Sequence, residues 1–221
     1  MPLSLGYLER FGAEDFLVAP TNEEAHALVM GWPSWPAFAL RLVGPAGAGK
    51  SHLAAMWAEL SGGRLIEAAD LSPETEPELH EGDTLAVENI DRPEVSDRAL
   101  FHLLNSAREH GAWLLLTARQ GPTATWPALP DLASRLRALP AASLALPEGE
   151  LLGAVLVKLC DERQLVVEPG VIDYMFNRME RSLATARRLI AALDSEALAR
   201  GRPVTRRVAA AVLARMGDDD G

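Results

Sequence analysis

Apolar residues fall along this chain in two regimes. Up to about residue 147 they gather in short runs closed by turn-forming residues: Phe38–Val43, Arg64–Glu67, Thr84–Glu88, Trp113–Thr117 and Ala142–Leu146. Runs of this length between turn signals read as strands, and the segments between them carry helical spacing. Strands alternating with helices predict a five-stranded parallel sheet with right-handed crossovers, flanked by helices on both faces.

Past Pro147 the pattern changes. Leu151, Leu152, Val155, Leu156 and Leu159 recur at helical intervals, and no strand pattern of comparable strength follows. Pro169-Gly170 fits a turn and helix start. Ser182-Leu183 opens a long helix through Leu198, and Gly201-Arg202-Pro203 stops it before a last helix to about Met216. The fold class is therefore α/β with a small, all-helical C-terminal domain. The expected boundaries are an N-terminal segment over 1–20, the sheet domain over 21–147, the helical domain over 148–216 and a tail over 217–221, where Asp218-Asp219-Asp220-Gly221 is expected to fray.

Composition narrows the setting. With 48% hydrophobic and 24% charged residues the chain is globular in character, and its apolar runs fall short of the ~18 residues of a membrane span. Met1-Pro2-Leu3-Ser4-Leu5 has no basic start leading into an apolar stretch, and the single Cys160 suits a reducing compartment, so the cytoplasm is expected. A net charge of −10 disfavours strong direct binding to DNA.

The most specific signal is Gly44-Pro45-Ala46-Gly47-Ala48-Gly49-Lys50-Ser51, which fits G-x-x-x-x-G-K-[ST] at every fixed position. It stands between a strand run and a helical run, the context the motif requires. Glycines there let successive N–H groups turn toward phosphate, the helix start adds its positive end, Lys50 reaches the outer phosphates, and Ser51 ligates Mg²⁺. The expected ligands are ATP or ADP with Mg²⁺. A second signal is Glu88, at the end of the Thr84–Glu88 run, where a strand-end carboxylate can hold the Mg²⁺ shell across the crevice. An ordinary solvated carboxylate is the plainer alternative.

These residues carry a resemblance to the DnaA/Hda branch of AAA+ P-loop proteins, from about Leu3 to Leu213. Gly49-Lys50-Ser51-His52-Leu53 resembles the G-K-[ST]-H-L of that branch; Asp15 to Ala25, with Val18 within it, resembles the segment that wraps adenine; Phe101-His102-Leu103-Leu104-Asn105 resembles a family helix. The resemblance implies a sensor 1 role for Thr117 in Thr117-Ala118-Arg119. It implies a trans-acting arginine finger at Arg135 in Ser134-Arg135-Leu136. In Ala186-Arg187-Arg188-Leu189 it implies that Arg187 of the helical lid bonds phosphate, with Arg188 the neighbouring alternative. His52 could equally be a packing residue, and Trp32 and Trp35 are assigned no chemistry.

Within the branch the chain most resembles the Hda-like regulators, because it stops where an initiator would continue to a DNA-binding domain and because it is acidic. That resemblance implies a regulator of replication initiation that joins the DNA polymerase III sliding clamp and stimulates hydrolysis of ATP held by DnaA. A homo-oligomer is a further possible assembly, and no membrane partner is expected. Two departures bear on mechanism. The strand acid pair reads Glu88-Asn89, and an amide cannot take a proton from water, so the chain's own hydrolysis is expected to be feeble. The clamp-binding peptide of the family usually opens with Gln; here Leu3 and Leu5 fit its later part and the Gln is absent. A free-standing ATPase and a non-catalytic adaptor are the alternatives.

Overall fold

A computed structural model describes residues 16–72, 77–146, 149–200 and 203–219. Contacts divide it into two compact units, one built on 25–43 and 50–142 and the other on 19–24, 44–49 and the chain from Ser143 onward.

The first unit holds α1 (Glu23–Met30) from Ala25 onward and continues through β1 (Ala39–Val43), α2 (Lys50–Ser61), β2 (Arg64–Glu67) and β3 (Thr84–Glu88). It then runs through α3 (Asp97–His110), β4 (Trp113–Ala118), α4 (Pro130–Ala138) and β5 (Ala141–Ser143). The five strands form one sheet in the order β2-β3-β4-β1-β5, with parallel pairing between β2 and β3, β3 and β4, and β1 and β4. Parallel strands end on a common edge. Val43, Glu67, Glu88 and Ala118 therefore lie along its carboxyl side.

Three of the expected strands shift at an end. The run starting at Phe38 begins one residue later, the run over Trp113–Thr117 continues to Ala118, and the run over Ala142–Leu146 becomes Ala141–Ser143. Leu144 is buried beside Gly44, while Leu146 is 43% exposed, so that last run is apolar without continuing the ladder.

The twofold period of a strand sorts the sheet residues by face. Leu85, Val87, Leu114 and Leu116 join Leu100, Leu103 and Leu104 of α3 and Leu132 and Leu136 of α4 in one core. The residues between them, Ala86, Glu88, Leu115 and Thr117, fall on the opposite face. Local sequence fixes α3 at both ends. Ser96 Oγ accepts from the Ala99 N–H at 3.2 Å, and Gly111 takes the left-handed conformation at φ 72° just past His110.

At the amino edge of the strands four indoles meet. Trp35 stacks on Trp57 at 5.0 Å, Trp32 meets Trp57 and Trp113 edge-on at 6.3 and 6.5 Å, and Trp35 meets Trp113 edge-on at 6.2 Å. Trp35 Nε1 donates to the Leu28 carbonyl at 2.8 Å, tying the cluster to α1. The tryptophans to which no chemistry was assigned thus form a packed cluster.

The second unit holds α5 (Gly149–Glu162), α6 (Val171–Phe176), α7 (Leu183–Arg200) and α8 (Arg206–Asp219). Leu152, Leu156, Met175, Leu189, Ile190, Leu193 and Val212 form its core. The last helix extends to Asp219, so the acidic end expected to fray is helical over Asp218 and Asp219.

Candidate functional site

The glycine-rich loop leaves β1 and enters α2 at Lys50. Gly47 and Gly49 sit at φ 77° and 97°, where a Cβ is strongly disfavoured. Gly47 is required by space as well: a Cβ there would collide with Ser182, whose own Cβ would lie 2.8 Å away. The Leu183 N–H, at the start of α7, donates to the Gly47 carbonyl at 3.1 Å. Gly44 approaches Leu144 closely enough that a Cβ would strike its carbonyl oxygen. The loop is thereby held by backbone against backbone, with Pro45 and Ala46 exposed and Ala48 buried.

Lys50 is only 8% exposed. Burial pushes its pKa below the usual lysine value, nearby Asp91 and Glu88 oppose that shift, and Arg119 adds to it. Its ammonium therefore lies among charges of both signs. Glu88, on the sheet face that Ala86 and Thr117 share, is 7% exposed and hydrogen-bonded by the Ser51 side chain. Its Oε1 is buried with no partner. Burial raises the Glu88 pKa, the Ser51 hydrogen bond opposes this, and the neighbouring Glu67 carboxylate adds to the rise. The structure thus brings Ser51 and Glu88 together and leaves one Glu88 carboxylate oxygen buried without a partner.

Thr117 is fully buried. Its Oγ1 accepts from the Asn89 N–H at 3.0 Å and its carbonyl accepts from the Ile90 N–H at 2.9 Å, so it fastens the chain leaving β3 to the end of β4. Asn89 itself is left-handed at φ 59°, a conformation asparagine tolerates better than most side chains. Its Nδ2 donates to Glu67, 2.9 Å from Oε2 and 3.2 Å from Oε1.

The other expected residues lie as follows. His52 is buried and meets Phe16 edge-on at 5.3 Å, and Phe16 in turn stacks on His26 at 5.4 Å. Val18 is 51% exposed, an apolar side chain open to solvent. Arg187 is half-buried in the second turn of α7 and Arg188 is exposed. Arg135 is half-buried on α4 with its guanidinium 4.7 Å over the Phe101 ring, whereas Arg137 is exposed. Leu3 and Leu5 fall outside the described residues.

Three charged residues near this edge were not singled out in the sequence. Asp91 Oδ2 accepts from the Arg119 and Gln120 N–H groups at 2.9 and 3.3 Å. Asp91, Arg92, Pro93, Glu94 and Arg119 line a cleft of about 260 Å³. Glu67 pairs in register with Glu88 across β2 and β3. Each closes or follows a strand run, and that position is the only sequence signal they carry.

No protein-family model matches the chain, and no curated protein matches it by sequence. Solved structures do. Domain III of the replication initiation protein DnaA from Thermotoga maritima superposes with a TM-score of 0.77 over 93% of this chain and 96% of its own, at 18% identity. A point variant of Thermotoga maritima RuvB gives 0.70 over 94% and 72%, at 15% identity. AMPPCP-bound DnaA from Aquifex aeolicus gives 0.64 over 83% and 64%, at 18% identity. At these identities the likeness speaks for architecture alone, and the architecture of this chain is the AAA+ fold of DnaA domain III and RuvB.

Proposed function

We propose that this chain is an adenine-nucleotide-binding AAA+ protein that regulates replication initiation. The observation that carries the nucleotide reading is the meeting of Ser51 with Glu88, whose buried Oε1 has no partner, beside the buried Lys50. Mg²⁺ prefers one or two carboxylates together with phosphate oxygens and water. Among the described residues no group of three His, Cys, Asp or Glu could hold a metal unaided. The residues present fit a cation that arrives with its nucleotide, held by the Ser51 hydroxyl and Glu88. Bound there, it would neutralise phosphate charge.

Lys50 supplies the protein's own cation for the outer phosphates. The loop N–H groups supply fixed dipoles, and the Leu183 N–H, at the start of the helix that carries Arg187, donates to the Gly47 carbonyl. AMPPCP in the Aquifex aeolicus DnaA supports an adenine nucleotide as the ligand. The thermal midpoint should rise with ADP or ATP and Mg²⁺, since a ligand of the folded state stabilises it by mass action. Lys50→Ala should remove most of that rise. An undiminished rise in the variant overturns the phosphate-loop assignment.

The finer reading is Hda-like: with the sliding clamp, engaged through Leu3 and Leu5, the chain stimulates hydrolysis of ATP on DnaA by offering Arg135 in trans. The DnaA-like fold supports this reading, as does the placement of Arg135 on α4 without an ion-pair partner among the described contacts. In that role its guanidinium must leave Phe101, a contact of about 0.5–1 kcal/mol at a partly exposed site. In an assay of ATP-loaded DnaA with clamp and DNA, each omitted in turn, Arg135→Ala should abolish stimulation and leave nucleotide binding intact. Arg137→Ala, on an exposed neighbour, should retain stimulation. Full stimulation by the Arg135→Ala protein removes the finger from this position.

A further inference from the structure

Asn89 follows Glu88 where β3 ends, and its amide cannot take a proton from water. A carboxylate stands one strand away. Glu67 closes β2 as Glu88 closes β3, the two are partners in the parallel ladder, and residues so paired project on the same face of the sheet. The left-handed turn at Asn89 swings its side chain across the strand ends to Glu67. The backbone of that turn is fixed in place by Thr117 Oγ1.

From this clasp we infer that Glu67 is the water-activating carboxylate of the site and that Asn89 is its positioning residue. The inference rests on the nucleotide reading above and extends it to a slow hydrolysis of the bound nucleoside triphosphate by the chain itself. A carboxylate offers about four acceptor positions, and one NH₂ group occupies at most two of them. Glu67 therefore keeps acceptor capacity for water, while Asn89 Oδ1 can accept the water's second hydrogen. The division of labour follows from the chemistry of the two groups: the amide orients, and the carboxylate takes the proton. In the step, the water oxygen bonds to the γ-phosphorus and the bond from that phosphorus to the β–γ bridging oxygen breaks. The electron pair leaves with the nucleoside diphosphate. One water proton passes to a Glu67 oxygen and from there to solvent.

Glu88 is poorly suited to the same task. It is buried and already receives the Ser51 hydrogen bond, so its place is at the cation. Were the Asn89–Glu67 contact only a brace between two strand ends, an isosteric amide at position 67 would keep its shape and alter no rate.

Phosphate release from ATP with Mg²⁺ by the full chain tests the assignment, with the nucleotide-induced rise in melting temperature as the measure of binding. Glu67→Gln should lower kcat by about 100-fold, the lower end expected for loss of a general base, with the melting rise unchanged. Asn89→Ala should lower kcat by roughly tenfold at nearly constant KM, as loss of orientation alone. The double variant Glu67→Asn/Asn89→Asp reverses the pair, returns a carboxylate to the clasp and should recover at least the starting rate. A Glu67→Gln protein that turns over normally overturns the assignment. So does an unmodified chain that binds nucleotide without any turnover. A missing melting rise in the unmodified chain instead overturns the nucleotide reading and this one with it.

Discussion

At Glu88 the chain keeps a carboxylate in a place that costs it stability without a ligand. It receives the Ser51 hydrogen bond, and its Oε1 is buried without a partner. The folded pKa lies above the ordinary glutamate value, chiefly through burial. Below that ordinary value both folded and unfolded chains are protonated and nothing is lost. As pH rises through it the unfolded chain ionises first, so folding stability falls until the folded Glu88 ionises too. Glu88→Gln should flatten this dependence and raise the neutral-pH stability of the ligand-free protein by roughly 1 kcal/mol, or about 2–4 °C in melting temperature. The same variant should bind nucleotide with little dependence on Mg²⁺. A fall in melting temperature would place the ionised Glu88 among stabilising groups.

Residue-scale chemistry was legible where it is local in the chain. The phosphate loop is contiguous, and Glu88 ends an apolar run, so both show in the sequence. Glu67, Asp91 and Arg119 matter through the register of β2 on β3 and the hydrogen bond from the Arg119 N–H to Asp91, which no short window of sequence contains. Asn89 was legible as a missing acid. Its left-handed backbone and its partner were not.

Among the elements, the phosphate loop and α7 form the most demanding contact. Gly47 needs both a positive φ and the absence of a Cβ beside Ser182. Gly47→Ala should destabilise the protein by about 2–3 kcal/mol and abolish the nucleotide-induced melting shift. Gly62→Ala, at φ 68° with nothing within 4 Å of its Cβ, should lose only about 1 kcal/mol. Gly47→Ala/Ser182→Gly should recover the difference, less a few tenths of a kcal/mol for the loss of the hydrogen bond from the Thr185 N–H to Ser182 Oγ. Equal losses for Gly47→Ala with and without the second change would exclude the steric cause, as read by denaturant titration. The central strands were legible because burial on both faces leaves long apolar runs. Only Ala142 and Ser143 of the last run join the ladder, since Leu144 packs beside Gly44, and apolarity alone could not mark that point.

For the whole molecule, the net charge is −10, and among the described residues no helix is long and apolar enough to cross a membrane. The amino edge of the sheet serves packing, and its indole cluster has an optical consequence. Four of the five tryptophans share that cluster, and the fifth, Trp126, packs partly buried against the α3 side of the core. Excitation absorbed by any of the four is exchanged among neighbours at 5.0–6.5 Å before emission, so the protein's intrinsic fluorescence is nearly the signal of one composite chromophore. It should stay flat through a nucleotide titration at the far edge and change in a single step, with loss of the near-ultraviolet dichroism of coupled rings, when urea dissolves the sheet. An emission change at saturating ADP, with no change in folded fraction, would instead reveal that the two edges move together.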